Sequence, residues 1–274
     1  MARLRLTRRR VLGCCGGLLA AGTIDAFVVE PRWLSITHRA VSVPGLPSGL
    51  DGLRIAHVSD LHLSELGSIH ERVVAELGRF SPDLTAITGD SVEQPEALPA
   101  LRAWSSEVGR VSGVVLATPG NWEHWGSVPR EDLAAAYAAG GARLLVNEAI
   151  SSAGLQIVGV DDSCSGNADP RAAMGRLQGD AATRVVLTHA PGVFDELDAS
   201  LPRFALGLAG HTHGGQLCAL GKSVFVPPGS GRFVEGLYEC SHGPIAVSRG
   251  VGMSVIGARL TCRPELVLVT LHRA

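Results

Sequence analysis

Residues 53–62 read Leu-Arg-Ile-Ala-His-Val-Ser-Asp-Leu-His: a near-continuous apolar run over 53–59 that stops on Asp60-x-His62. A run this short between turn residues suits a strand buried on both faces. Outward from it the pattern recurs at Leu84–Thr88, Val114–Thr118, 155–160, 185–188 and 204–209. Between these strands, residues 69–80 put Ile69, Val73, Val74 and Leu77 on one helical face. Residues 98–108 and 131–139 read as further helices. Strands alternating with helices predict an α/β body with largely parallel strands. From Gly210 onward the strands become punctuated by glycine and proline and end in 265–271, which predicts a second sheet closing the same domain. Ahead of residue 53, Pro31, Pro44 and Pro47 fit a lead-in strand and turns over 30–50.

The strand ends carry the chemistry. The first stops at Ser59-Asp60-Leu61-His62, the second at Gly89-Asp90, the third at Gly120-Asn121-Trp122-Glu123-His124. A later strand stops at His189, and the next delivers Gly210-His211-Thr212-His213-Gly214-Gly215-Gln216. In α/β sheets, ligands bind in the crevice beyond the carboxyl ends of the strands. Any one of these residues has an ordinary structural reading, as a capped turn or a satisfied core histidine. Together they bring Asp, Asn and His to one edge, a donor set that suits Mn, Fe or Zn better than Ca or Mg.

This ordered series resembles the calcineurin-like metallophosphoesterase family. Gly-His-Thr-His-Gly-Gly-Gln, with Ser248-Arg249-Gly250 and Pro264-Glu265, resembles its exported bacterial branch. The resemblance implies a four-layer αββα sandwich of two mixed sheets flanked by helices, over 51–274. It also implies two divalent metals about 3–4 Å apart. Asp60, His62 and His213 would hold one, Asn121, His189 and His211 the other, and Asp90 would bridge them. A bridging hydroxide would then attack phosphorus in a phosphodiester or pyrophosphate. Glycines 210, 214 and 215 would let the backbone turn tightly and approach the substrate closely.

One position departs from the family pattern. Trp122 stands where a histidine usually follows the asparagine, and an indole cannot transfer a proton. His124 is then a candidate acid, or else a rim residue. Without a strong acid the chain should prefer leaving groups that depart as stable anions, lipid-linked nucleotide diphosphates of the UDP-diacylglucosamine type among them. A catalytically silent metal-binding protein is the other alternative. Trp104, Trp122 and Trp125 could face substrate or lipid, Trp104 equally the core. Glu93 and Asp161 are candidates to support the ligands. Asp162 reads as a supporting group or turn chemistry, His57 as structural, and His38, His70, His242 and His272 as surface residues.

Of the 274 residues, 46% are hydrophobic and 18% charged, which argues against disorder, and a net charge of −2 gives no basic footprint for nucleic acid. Attraction of a phosphate-ester substrate must therefore be local. The six cysteines form no Cys-x-x-Cys pair, so a zinc knuckle is not expected, while disulfides or buried thiols both remain open. Residues 1–29 begin with Arg3, Arg5 and Thr7-Arg8-Arg9-Arg10-Val11-Leu12 and continue through a short Gly/Ala/Leu stretch. This resembles a twin-arginine export signal, cleaved or kept as an anchor. It implies the translocase as partner, possible membrane association through the N-terminus, and the cell envelope as location.

Overall fold

The computed structural model describes residues 16, 17, 20–175, 177 and 183–274; the Thr7–Leu12 pattern and Cys14-Cys15 lie outside the described residues. The strands are β1 (Ser35–Val43), β2 (Arg54–Val58), β3 (Leu84–Thr88), β4 (Val114–Thr118), β5 (Arg143–Leu144), β6 (Glu148–Ser152) and β7 (Leu155–Gly159). They continue as β8 (Arg184–Leu187), β9 (Leu206–Ala209), a small hairpin of β10 (Cys218–Ala219) and β11 (Lys222–Ser223), β12 (Gly236–Cys240), β13 (Gly243–Val247) and β14 (Glu265–Arg273). Two six-stranded sheets result, ordered β1-β14-β2-β3-β4-β5 and β12-β13-β9-β8-β7-β6. Both are mixed. β2, β3, β4 and β5 run parallel with β14 antiparallel beside β2, and β7, β8, β9 and β13 run parallel between antiparallel β6 and β12.

Strand periodicity explains why these sheets stack. In β14, Val267, Val269 and Leu271 point between the sheets, while Leu266 and Leu268 point outward. In β8, Val185 and Leu187 enter the inter-sheet core and Val186 the far side. The outer face of the first sheet is covered by α1 (Ser68–Phe80), α2 (Leu98–Val111) and α4 (Arg130–Ala138), α3 being the short turn Asn121–Trp125. Val73 and Leu77 of α1 are wholly buried, each worth roughly 1.5–3 kcal/mol. Trp104 belongs to this core at 1% exposure, which removes it from the substrate-facing tryptophans. The second sheet has a thinner cover: α5 (Pro170–Met174), the turn Pro191–Asp195 and the buried rings of Phe194, Phe204 and Phe233.

The expected strands and helices occur with ends displaced by a few residues at most. Their assignment to sheets needs correction. The second sheet begins at β6 and includes β7, β8 and β9, well before Gly210, and β14 returns to the first sheet. A strand buried on both faces has the same apolar pattern in either sheet, so its sequence cannot say which it joins. Two histidines expected on the surface are buried. His70 Nδ1 accepts the Gly67 N–H at 3.1 Å ahead of α1, and His242 stacks on Phe204 and donates to the Asp198 carbonyl at 3.1 Å. The cysteines at 164, 218, 240 and 262 are free thiols.

Candidate metal centre

The chain turns sharply after β2, β3 and β9. Asp60, His62, Asp90, His211 and His213 have φ of 53°, 46°, 51°, 69° and 49°. Such left-handed backbone costs about 1–3 kcal/mol per non-glycine residue and persists only where neighbours over-determine it. Five of the seven expected ligands adopt it. Asn121 opens α3, and His189 stands two residues past the end of β8.

Hydrogen bonds between neighbouring turns hold them, within and between the sheets. The His211 N–H donates to both Asp60 oxygens, at 3.0 and 3.2 Å, and the Trp122 N–H donates to Asp90 Oδ1 at 2.8 Å. Three imidazoles use one nitrogen each on a protein acceptor. His62 Nδ1 donates to Glu93 (2.8 Å), His189 Nδ1 to the Thr88 carbonyl (2.8 Å) and His211 Nε2 to the Pro228 carbonyl (2.7 Å). The remaining nitrogen of each is left free to ligate, oriented by its partner.

Two donor groups result, Asp60-His62-His213 and Asp90-His189-His211, with the ligand atoms of each inside 4.8 Å of one another. Asn121 Oδ1 joins the second, 3.0 Å from His189 Nε2 and 2.9 Å from His211 Nδ1. Asp90 Oδ2 lies between them, 3.1 Å from His189 Nε2 and 3.8 Å from His62 Nε2.

Cations fit this arrangement on two counts. His62 Nε2 and His213 Nε2 face each other at 3.2 Å, and two imidazole nitrogens so close need a proton or a metal between them. The buried carboxylates also set up a negative potential. Burial opposes the charged forms of Asp90 and His189, yet their mutual attraction outweighs it, lowering the Asp90 pKa and raising that of His189 well above the usual. Burial raises Asp60. His62 goes up because Glu93 and Asp90 together overcome burial. His213 is pushed well down by burial and by the neighbouring His62 and Arg259, the neutral form a metal requires.

The structure brings Glu93 and Trp122 to the ligands and sets Asp161 elsewhere. Trp122 lies edge-on to His62 with ring centroids 6.1 Å apart, and its indole N–H donates to Ser254 at 3.0 Å. Asp161 accepts from His124 Nε2 at 2.8 Å and from the Asn167 N–H at 2.9 Å, and the Asp161 bond raises the His124 pKa. Asp162 accepts the N–H groups of Cys164 and Ser165, which is turn chemistry. His57 is fully buried, donates to Thr88 Oγ1 at 2.8 Å, and burial depresses its pKa to about 3.

Three supporting residues escaped sequence reasoning. Buried Glu123 accepts the N–H groups of Gly120 (2.9 Å), Asp90 (3.0 Å), Ser91 (2.6 Å) and Val92 (3.3 Å), tying the Asp90 turn to the Asn121 turn. Its spacing three residues after Gly120 is that of a capping box, the signal that could have found it. Arg259 is wholly buried and donates to the carbonyls of Arg249, Gly250, Gly252 and Cys262 behind His213. Nothing local marks it. Gln216 donates to the Ser254 and Ile256 carbonyls at 3.1 and 2.7 Å and accepts the Ser254 N–H at 3.0 Å, fixing the loop above the site.

No protein-family model matches the chain. It is 29% identical to the metallophosphoesterase YkuE of Bacillus subtilis (strain 168), across 97% of this chain and 98% of that one. It is 28% identical to the phosphodiesterase YaeI of Escherichia coli (strain K12), across 97% and 99%. A shorter stretch, 26% of this chain and 23% of the relative, is 36% identical to the UDP-2,3-diacylglucosamine pyrophosphatase LpxG of Chlamydia trachomatis. The relatives are metallophosphoesterases, and two mixed sheets flanked by helices agree with that fold.

Proposed function

We propose that the chain is a metal-dependent phosphoric ester hydrolase acting on phosphodiester or pyrophosphate bonds. The observation that carries this is the pair of donor groups with the Asp90 carboxylate between them. The names of the relatives, phosphodiesterase and pyrophosphatase, support it. Asp60, His62 and His213 would hold one divalent ion, Asn121, His189 and His211 a second, with Asp90 shared. Bound ions of this kind acidify water and neutralise charge growing on phosphoryl oxygens.

The chain's own residues set the geometry for that chemistry. Glu93, Thr88 and Pro228 fix three imidazoles, Glu123 fixes Asp90, and the Asp60 carboxylate holds the His211 turn. The Trp122 indole N–H is spent on Ser254 and is not a transferable proton. That supports substrates whose leaving group departs as a stable anion, pyrophosphates and aryl esters included. The reading extends to export: the Thr7–Leu12 pattern supports the twin-arginine translocase as partner and the cell envelope as location. Among the described residues no helix is long and apolar enough to cross a membrane.

The test is hydrolysis of bis(p-nitrophenyl) phosphate with Mn²⁺, with a metal count on the same sample. Turnover should vanish with chelator and return to the native chain on adding metal, and it should fall roughly a hundredfold or more in Asp90→Asn. Fewer than two bound ions in a folded, reconstituted sample would overturn the dinuclear site.

A further inference from the structure

The ligands form only the floor of the cleft. Above Asp90, Asn121, His211 and His213 opens a cavity of about 350 Å³ whose walls include Trp122, Trp125, Leu217, Phe225, Val255 and Ile256. Among the described residues, no lysine or arginine lines it. A polyanion seated there would meet no cation above the floor. A hydrocarbon chain would meet matching surface.

The apolar surface continues out of the cavity. Trp125 is 60% exposed, Phe225 66% and Val255 90%, and Leu220 is fully in solvent. Exposed apolar side chains gathered at a cleft mouth, as Trp125, Phe225 and Val255 are, mark an interaction or ligand site. Two of the tips carry an independent sign. The β10–β11 hairpin turns on Leu220-Gly221 with φ of 53° and 75°, a position where Asn or Gly costs least. Val255 has φ 62°, a conformation a β-branched residue rarely adopts. At both tips a large apolar side chain is held in water on unfavourable backbone. Lys222, exposed on the same hairpin, puts a cation two residues from Leu220.

The segment bearing Val255 and Ile256 is also fastened to the N-terminal helical turn Asp25–Val29. The Arg259 N–H donates to the Ala26 carbonyl at 2.9 Å, and the Glu30 carboxylate accepts the N–H groups of Thr261 (2.7 Å) and Cys262. That turn exposes Phe27, Val28 and Val29. The mouth of the cleft and the apolar N-terminal segment thus form one connected unit.

From the walls, the tips and this connection we infer that the cleft takes an amphiphilic phosphoester from a lipid surface. Its phosphoryl group sits on the Asp90–His211 floor and its hydrocarbon tail lies between Trp125, Phe225 and Val255. This rests on the phosphoesterase reading and names its substrate class.

The full chain, loaded with Mn²⁺, is assayed on p-nitrophenyl alkyl phosphates from methyl to decyl, each below its micellar concentration. The leaving group is constant, so only the tail varies. In parallel, tryptophan fluorescence is titrated with decyl phosphate and with inorganic phosphate. We expect kcat/KM to rise about tenfold or more along the series, as burial of two or three methylenes gives. Decyl phosphate should saturate the fluorescence change where inorganic phosphate does not. Phe225→Ser and Val255→Ser, made singly and together, should flatten both responses. A flat series with an active methyl ester overturns the tail site and leaves the phosphoesterase reading intact. If no ester turns over, that reading fails, and the titration decides the pocket alone: saturation by decyl phosphate supports it, none overturns it. Chain-length gains unchanged in the double variant overturn it as well. So does sedimentation as a dimer that Phe225→Ser dissociates, which would give the rim to a second copy.

Discussion

Asp60 and Asp90 lie on buried turns where each carboxylate meets backbone N–H groups and imidazoles, while Trp125 and Val255, lining or rimming the same cleft, stand in solvent. Both regions hold residues in left-handed backbone, but different forces keep them there. On the floor, hydrogen bonds fix Asp60, Asp90 and three of the four imidazoles, and a misplaced atom would leave a buried charge unpaired. On the rim, the loop over 254–256 hangs from the Gln216 amide while the Val255 side chain stands in water. The floor is therefore intolerant of isosteric change, and the rim answers mainly to loss of apolar area.

The largest effect should follow Asp90→Asn, which keeps the size and the bond from Trp122 but removes the shared charge. Turnover should fall on the order of 10²–10³-fold with unchanged circular dichroism. Retention of more than about a tenth of the rate would show that chemistry happens elsewhere than on the floor.

Glu123→Gln comes next. Its amide would aim N–H groups at backbone N–H groups that now share a carboxylate, so metal affinity or activity should drop roughly 10–100-fold. A metal titration matching the native chain would mean the Asp90 turn stands without this support.

Beneath the floor, His57 makes a prediction about acid. The fold keeps it neutral down to about pH 3, whereas the unfolded chain protonates it near 6.5. Its contribution is thus complete above pH 6.5 and is lost as pH falls, at up to about 1.4 kcal/mol per unit. Between pH 6.5 and 5.5, urea unfolding with chelator present should cost the native chain roughly 1 kcal/mol more than His57→Leu. Equal losses would remove His57 from the account.

The smallest effect belongs to His124 at the rim, whose side chain is 33% exposed. Asp161 raises its pKa, so this pair stabilises below about pH 6.5 and the contribution disappears as pH rises through the folded value. His124→Ala should cost under about 1 kcal/mol at pH 6 and less at pH 9. The acid limb of the pH–rate profile should stay in place, because Asp161 engages the Nε2 atom. A displaced limb would return His124 to the chemistry and blur the division between floor and rim.

The candidate donor positions that the fold brings together were legible because metal chemistry admits few residue types and each stands near the end of a short apolar run, both local facts. Glu93 was legible for the same reason, three residues beyond Asp90. Glu123 was overlooked although its capping spacing is local, and Arg259 has no local mark, since the four carbonyls it bonds come from a loop folded back on itself. His70 and His242 misled because polarity alone does not show whether a ring finds a partner in the interior.

By itself, the sequence determined the alternation of strand and helix, the buried faces of the strands and the residue types at their ends, because these follow from periodicity and side-chain chemistry. Tertiary structure decided that β14 returns to the first sheet and that β6–β9 build the second. It decided that His124 turns to Asp161, and that Leu220, Phe225 and Val255 stand in solvent instead of a core. Each is a choice of partner across long sequence separation, made by which surfaces can pack together, and no short window of sequence records it.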